Sequence, residues 1–227
     1  DNASSRGLGD VYKRQIPTSL NEITLVQYQE FAKLEADLDK TKDTAIQLKI
    51  VEIFCKVPEV VVRNMKATDI AEICEIINTM FDTEHQLINR FRLKGIDYGF
   101  IPELDDMSFG EYMDLDTFIS DNDNLHRAVN VLFRPIEHKR GNRYTIKDYN
   151  PDTSETAKDF PLDAVLGAIV FFYSLGKDLS LVMLNSLDSK NEKALAQHLI
   201  SQPSGDGSIH SMQSLKAILQ DLKISLN

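Results

Sequence analysis

The run AVLGAIVFFYSL, at residues 164–175, is the longest uncharged apolar stretch of this chain. Its twelve residues are too few to cross a bilayer core, which needs about twenty. We therefore predict a buried helix and not a membrane span. Pro161 suits the first turn of that helix, and Gly176 is expected to break it before a second helical stretch at residues 179–187.

The N-terminal third of the chain has the spacing of amphipathic helices. Its apolar residues recur at three- and four-residue steps. Thr24 is expected to start a first helix, a second begins near Thr44 and stops at Pro58, and Thr68 has the right chemistry to cap a third. Residues 16–81 are therefore predicted to form an N-terminal helical subdomain.

The middle of the chain contains two predicted β-hairpins. Residues 91–93 and 98–101 flank a Lys-Gly turn, and residues 135–138 and 144–147 flank a turn at 139–143. Pro135 stands first in its strand, which suits an edge strand and not a central one. The pattern leaves open whether the two hairpins join in one sheet.

Two short helices are predicted between the hairpins. The sequence SFGEYMDLDTFI at residues 108–119 offers Ser108 as a helix cap. Its core-facing stripe is expected to comprise Phe109, Tyr112, Leu115 and Phe118 or Ile119. Residues 124–133 form the other helix.

These elements together predict a mainly α protein with two short β-hairpins, in a helical bundle-like globular fold. After the N-terminal subdomain, residues 82–188 form a central hairpin-plus-helix region with the buried helix, and residues 189–227 a C-terminal helical extension. Residues 82–89 fit either a linker or a packed turn. Residues 1–15, DNASSRGLGDVYKRQ, resemble the read-through of a sequencing-library adaptor. We therefore predict an artefactual or disordered segment there.

The composition is acidic, with 25 Lys and Arg against 35 Asp and Glu and a formal net charge of −10. Such a chain repels polyphosphate, so nucleic-acid binding would need a local basic patch. The nearest candidate, HKRGNR at residues 138–143, is expected to be a solvated hairpin turn rather than a phosphate contact. Cys55 and Cys74 lie in apolar helical patterns and are expected to be buried free thiols in a reducing compartment.

The densest group of carboxylates follows the first hairpin and comprises Asp105, Asp106, Glu111, Asp114, Asp116, Asp121 and Asp123. A divalent cation site and a catalytic carboxylate pair are alternatives for it. The calcium-loop template fails, because counting from Asp121 places His126 where glycine is required and Leu132 where glutamate is required. Helix capping and a solvated face account better for this group.

The motifs of common enzyme classes are missing from the sequence. It contains no nucleophile elbow, P-loop, dinucleotide fingerprint or HExxH zinc motif. We therefore expect a protein that is not an enzyme, and we assign it no cofactor and no catalytic, cofactor-binding or metal-binding residue. The aromatic residues Tyr28, Phe31 and 171–173 fit a core, with a docking groove for a partner helix as the alternative.

Three stretches of the chain carry a family resemblance. They are IPTSLNEITLVQYQEF at residues 16–31, RFRLKGIDYGFIPELDDMSFGEYMDLDTFI at 90–119, and FRPI at 133–136 followed by FPLDAVLGAIVFFYSLGKDL at 160–179. They resemble small bacteriophage proteins from virion-morphogenesis gene clusters, a group that looks similar to tail assembly chaperones. The most specific part is FIPELDDMSFGEYMDLD, at residues 100–116.

The resemblance implies a non-catalytic phage assembly factor of the host cytoplasm. It would bind a phage structural protein, either a tail or a capsid component. The acidic charge and the short apolar run separately argue against nucleic acid and membrane as partners. A minor virion structural component is one alternative. A metal-dependent enzyme that uses the carboxylates from Asp105 to Asp123 is another. The family supplies no residue-level site to carry over to this chain.

Overall fold

The structure is a computed structural model that describes residues 16–37 and 43–186. Its N-terminal part contains the helices α1 (Leu25–Asp37), α2 (Asp43–Phe54), α3 (Glu59–Val62) and α4 (Ala67–Phe81). Helix α1 starts after Thr24, as expected, and the Gln27 side chain accepts a hydrogen bond from the Thr24 amide at 3.1 Å. The prediction for Thr68 is wrong, because the N-cap of α4 is Lys66 and Thr68 lies inside the helix.

The second feature is a four-stranded antiparallel sheet. Its strands are β1 (Arg90–Leu93), β2 (Ile96–Phe100), β3 (Phe133–Arg140) and β4 (Arg143–Ile146), in the order β1-β2-β3-β4. Both predicted hairpins are present, but β2 pairs with β3 through Gly99 opposite Arg134 and Phe100 opposite Phe133. The prediction of a mainly helical, bundle-like protein with two short hairpins is therefore wrong, and the fold is mixed α and β. The joining pairs are distant in sequence, so local patterns do not reveal them.

The edge-strand prediction for Pro135 is also wrong, because β3 is a central strand. Proline has no amide hydrogen to donate to a neighbouring strand. Pro135 lies opposite Tyr98 at the end of the short β2–β3 pairing, and its carbonyl accepts a hydrogen bond from the Lys147 amide at 2.9 Å. The proline is thus tolerated where one ladder ends and the next takes over.

A glycine in β2 lets an aromatic ring from β4 lie against it. A Cβ atom at Gly99 would lie 2.4 Å from the ring of Tyr144, so no other residue fits without displacing that ring. The Tyr144 hydroxyl donates to the Phe100 carbonyl at 2.7 Å. This ring therefore connects β4 directly to β2, across the intervening strand.

The remaining helices are α5 (Phe109–Phe118), α6 (Leu125–Leu132) and α7 (Leu162–Ser186), with 3-10 turns at Leu104–Asp106 and Pro151–Asp159. Helix α7 contains the apolar run, and its residues from Ala164 to Ile169 are largely buried, as predicted. Gly176 does not break α7, which continues to Ser186. The segments predicted at residues 1–15 and 189–227 lie outside the described residues.

Residues 82–89 pack against α7. A Cβ atom at Gly167 would lie 2.2 Å from the backbone oxygen of Gln86, so this glycine allows the segment to approach the helix closely. Of the two readings of this segment, a packed turn is the one that the contact supports.

The hydrophobic core joins the sheet to the helices that precede it in the chain and to helix α7, which follows it. Phe91, Tyr98 and Phe133 surround the ring of Phe160, with centroid distances of 4.9 to 6.3 Å. The N-terminal chain is tied to the start of α7, where the Leu162 amide donates to the Ile23 carbonyl at 2.9 Å. Residues from 16–81 and from the later regions thus belong to one core cluster.

Candidate protein-binding surface

The candidate site is built on α5, and its position depends on a capping box. The Ser108 hydroxyl accepts a hydrogen bond from the Glu111 amide, and the Glu111 carboxylate accepts one from the Ser108 amide at 2.7 Å. This reciprocal arrangement satisfies backbone donors of the first helical turn. The prediction of Ser108 as a cap is confirmed, and the box turns Glu111 back toward the protein.

Glu111 also forms a buried ion pair with the sheet. Its carboxylate lies 2.8 Å from the guanidinium of Arg134 on β3, and both side chains are about nine-tenths buried. Burial opposes ionisation of Glu111, but the hydrogen bonds from Ser108 and the charge of Arg134 lower its pKa overall. The start of α5 is therefore fixed to a central strand by a charged contact that solvent screens much less than a surface pair.

The far end of α5 is held by apolar and hydrogen-bonded contacts. Leu115 and Ile119 are buried, one and two turns after Glu111. The Tyr149 hydroxyl donates to the Asp114 carboxylate at 2.8 Å. Burial and this carboxylate raise the pKa of Tyr149 above its ordinary value, so the hydroxyl remains a donor. These contacts fix which side of the helix faces inward.

The opposite side of α5 exposes three large apolar side chains. Phe109 is 77% exposed, Tyr112 45% and Met113 52%. They stand at positions i, i+3 and i+4 and so form one continuous patch on the helix surface. The expectation that Phe109 and Tyr112 pack into the core is wrong. We call Phe109, Tyr112 and Met113 the apolar patch.

The reason for this error is the ion pair. The helical spacing of the apolar residues predicts that Phe109 and Tyr112 face the core. The buried face instead consists of Glu111, Leu115 and Ile119. The motif Ser108-x-x-Glu111 is a sequence signature of a capping box, which requires the glutamate to reach back to the helix start. The capping box directs the Glu111 carboxylate to the helix start, but its burial depends on Arg134, which is distant in sequence.

The surroundings of the apolar patch are strongly acidic. Residues 101–123 contain no Lys or Arg. Their carboxylates are Glu103, Asp105, Asp106, Glu111, Asp114, Asp116, Asp121 and Asp123. Glu111 is neutralised by Arg134, whereas Glu103, Asp105 and Asp106 are exposed just before the helix. We call these last three residues the acidic lip.

Two clefts adjoin the acidic lip. One has a volume of about 650 Å³ and is lined in part by Glu103, Asp106 and the Glu111–Arg134 pair. The other has a volume of about 1330 Å³ and runs from Glu103 and Asp105 to the basic tip of the β3–β4 hairpin at residues 138–143. Neither of these two clefts is lined by a residue of the apolar patch, so the concave surface lies on the side of the lip that faces the sheet.

The carboxylates that the sequence offered as an alternative metal site each contact a different partner. Glu111 pairs with Arg134, Asp114 accepts from Tyr149, and Asp121 accepts from the Asn124 side chain at 2.7 Å. Within residues 16–37 and 43–186, no group of three or more His, Cys, Asp or Glu is arranged to hold a metal ion. Capping and structural contacts account for the members of the cluster that have described partners.

The other sequence candidates lie apart from α5 or in the core. Residues 138–143 lie at the exposed tip of the β3–β4 hairpin, where Gly141 has a φ of +62°. A hairpin turn is present as predicted, but it comprises only residues 141–142, because Lys139, Arg140 and Arg143 pair within the strands. Cys55 and Cys74 are buried free thiols, as predicted, and burial raises their pKa values to about 12 and about 11. Tyr28 is buried, and Phe31 packs against Phe54 at a centroid distance of 5.2 Å.

Comparison with known proteins gives no further assignment. No protein-family model, curated protein or solved structure matches this chain. Over the residues that the structure describes, no helix is both long enough and apolar enough to cross a membrane.

Proposed function

We propose that this protein is a non-catalytic phage assembly factor that binds another phage structural protein, in the manner of a tail assembly chaperone. The observation that carries the proposal is the apolar patch on α5. Helix α5 is apolar on both sides, with Leu115 and Ile119 inside and Phe109 and Met113 outside. A helix of that kind is normally covered on both sides.

The energetic argument favours a protein partner. Fully burying a Phe or Met side chain is worth about 1.5–3 kcal/mol relative to leaving it exposed. The other exposed large apolar side chains in the described part of the chain, Val26, Val60, Ile76 and Ile96, lie on four different elements. Scattered residues of that kind are ordinary, whereas a contiguous patch marks an interaction site.

The phage part of the proposal rests on the resemblance, and the patch lies inside its most specific motif. Phe109, Tyr112 and Met113 all belong to FIPELDDMSFGEYMDLD, at residues 100–116. A motif that exposes its aromatic residues is better explained by binding than by folding. The resemblance and the exposed patch therefore support the same function.

The experiment is affinity purification of the tagged full-length chain from infected cells. We expect a stoichiometric complex with a tail or capsid protein that mass spectrometry identifies by its gene. The variant Phe109→Ala with Met113→Ala should lose this complex. Val60→Ala is the matched control, because Val60 is 73% exposed on α3, away from α5. Absence of any phage structural protein, or equal capture by the patch variant, would reject the proposal.

Purified virions separate the chaperone from the virion component. An assembly chaperone acts before the particle is complete and should be missing from purified particles. A minor virion component should be present in them at a fixed copy number. Quantitative mass spectrometry of the particles decides between these two roles.

A further inference from the structure

We propose that the segment that covers the apolar patch is a basic amphipathic helix of the partner protein. This inference rests on the proposed function and specifies the chemistry of the partner. It uses two features together, the apolar patch of α5 and the acidic lip that precedes it.

The charge of the partner follows from the acidic lip. Glu103, Asp105 and Asp106 are exposed next to the start of α5. Arg134 is buried against Glu111 and does not reach the lip. Other basic side chains line the adjoining clefts, Lys147 in one and Lys139, Arg140 and Arg143 in the other. None of them forms an ion pair with the lip in the described part of the chain, so the lip keeps its charge for a partner. Lysine or arginine on a partner would meet the lip favourably and an acidic partner would be repelled, so the lip sets specificity as well as association rate.

The secondary structure of the partner follows from the backbone of α5. A helix bonds its own backbone groups internally, so α5 has no strand edge with which an extended segment could pair. A strand laid across the patch would leave its amides and carbonyls against apolar side chains without partners. A partner helix satisfies its own backbone and can place apolar residues between Phe109 and Met113, whose spacing is that of a helix ridge.

A second copy of this chain fits the surface poorly. A second copy would present the same α5 segment, and because residues 101–123 contain no Lys or Arg, that segment offers the lip no positive charge and meets it with like charges. The formal net charge of −10 adds to that repulsion. The charge of the surface therefore favours a different protein with a basic segment.

The test uses two synthetic helical peptides and the full-length protein. Both peptides have about 18 residues, long enough to be partly helical alone, and both carry the same leucine stripe. One has lysine at every polar position and the other glutamate. Fluorescence anisotropy should show that the lysine peptide binds at least tenfold tighter and that added salt weakens its binding.

Two charge variants separate the acidic lip from the overall charge of the protein. Asp105→Asn with Asp106→Asn should weaken the lysine peptide severalfold and reduce the dependence of binding on salt. Glu72→Gln with Glu75→Gln is the control, because it removes the same charge from exposed positions on α4. Phe109→Ala with Met113→Ala should weaken the lysine peptide tenfold or more. Equal affinity for both peptides, or equal effects of the two charge variants, would overturn the inference.

A photo-crosslinking amino acid at Met113 identifies the natural occupant in infected cells. A crosslink to a lysine- or arginine-rich helical segment of a phage protein supports the inference. A crosslink to a second copy, or to residues 187–227 of the same chain, overturns it. If a phage protein is captured through an acidic or extended segment, the proposed function stands and this inference fails. If the lysine peptide binds but no phage protein is captured, the proposed function fails instead.

Discussion

Helices α5 and α6 follow one another in the chain and pack against each other. They differ in which kinds of residue they bury and which they expose. In α6, every residue from Leu125 to Leu132 is buried except Arg127. In α5, a glutamate is buried while a phenylalanine and a methionine are exposed. Burial of apolar surface accounts for most of α6, and the two polar residues that it buries, His126 and Asn130, have hydrogen-bond partners. Apolar burial does not account for α5, whose inward face is held by a charged pair and whose outward face remains available for binding.

The largest expected effect tests the charged pair beneath α5. Arg134→Ala leaves the Glu111 carboxylate buried without its cation, and breaking such a pair costs about 3–5 kcal/mol of unfolding free energy. Urea denaturation followed by circular dichroism measures this loss.

The control for this prediction removes the charge on the other side as well. Adding Glu111→Gln to Arg134→Ala keeps an acceptor for the Ser108 amide and removes the unpaired charge. A large part of the lost stability should return. If the double variant is as unstable as the single one, the pair is not what holds α5 in place.

The next effect tests the apolar packing of α6. Leu132→Ala removes a side chain that is 1% exposed, and a cavity of this kind costs about 2–5 kcal/mol. Denaturation of the full-length protein measures the change. Arg127→Ala on the exposed side of the same helix is the matched control, and it should lose far less stability. Comparable losses would mean that α6 does not depend on its buried face.

A smaller effect is expected from acidic pH, which should weaken the contact that His126 makes between α6 and α1. The Gln29 side chain lies 3.3 Å from Nδ1 of His126, and Glu155 lies 3.6 Å from Nε2. Burial lowers the pKa of His126 below its ordinary value of 6.5, and the nearby charge of Lys158 lowers it further. The neutral ring is therefore favoured in the folded state. The stability that it contributes is present above pH 6.5 and is lost as the pH falls through its folded pKa.

We expect the unfolding free energy to decrease between pH 7.5 and pH 5.5. His126→Gln keeps an acceptor and does not titrate, so its decrease should be smaller. Burial also lowers the pKa of His85. His85 therefore adds to the decrease in unfolding free energy equally in the wild-type protein and in the His126→Gln variant. Glu111 loses its contribution only below its ordinary pKa of 4.5, outside this range. Equal slopes in the two proteins would mean that His126 does not titrate on unfolding.

The smallest effect on stability is expected in the apolar patch. Phe109→Ala removes a side chain that is mostly exposed, so the unfolding free energy should change by no more than about 0.5 kcal/mol. Thermal denaturation measures this change, while the binding experiments above should show a large one. A loss of several kcal/mol would mean that Phe109 supports the fold and that α5 is not a binding face.

The sequence predicts the presence of α5, its cap and its boundaries, because these depend on neighbouring residues. It does not predict which face is buried, because Glu111 turns inward to reach Arg134, 23 positions later in the chain. Counting apolar residues assumes that charged residues face outward. That assumption holds for α6 and fails for α5.

The same division applies to the sheet. Each hairpin is predictable from its turn residues, since its strands are adjacent in sequence. The pairing of β2 with β3 is not, because more than thirty residues, including both α5 and α6, lie between Phe100 and Phe133. The apolar run of α7 indicates burial correctly. The helix nonetheless continues past Gly176, because one glycine costs only about 1 kcal/mol in a helix.

The contact of the Tyr144 ring with Gly99 forms only when β4 pairs with β3 in the native register. If β4 slipped by one residue against β3, Thr145 or Arg143 would take the position of Tyr144, and every side chain of β4 would move to the other face. The space beside Gly99 would then no longer hold the Tyr144 ring, and the Phe100 carbonyl would lose the hydroxyl that now donates to it at 2.7 Å. A mispaired hairpin is thus penalised two strands away from the error, and only one alignment of β4 completes the sheet.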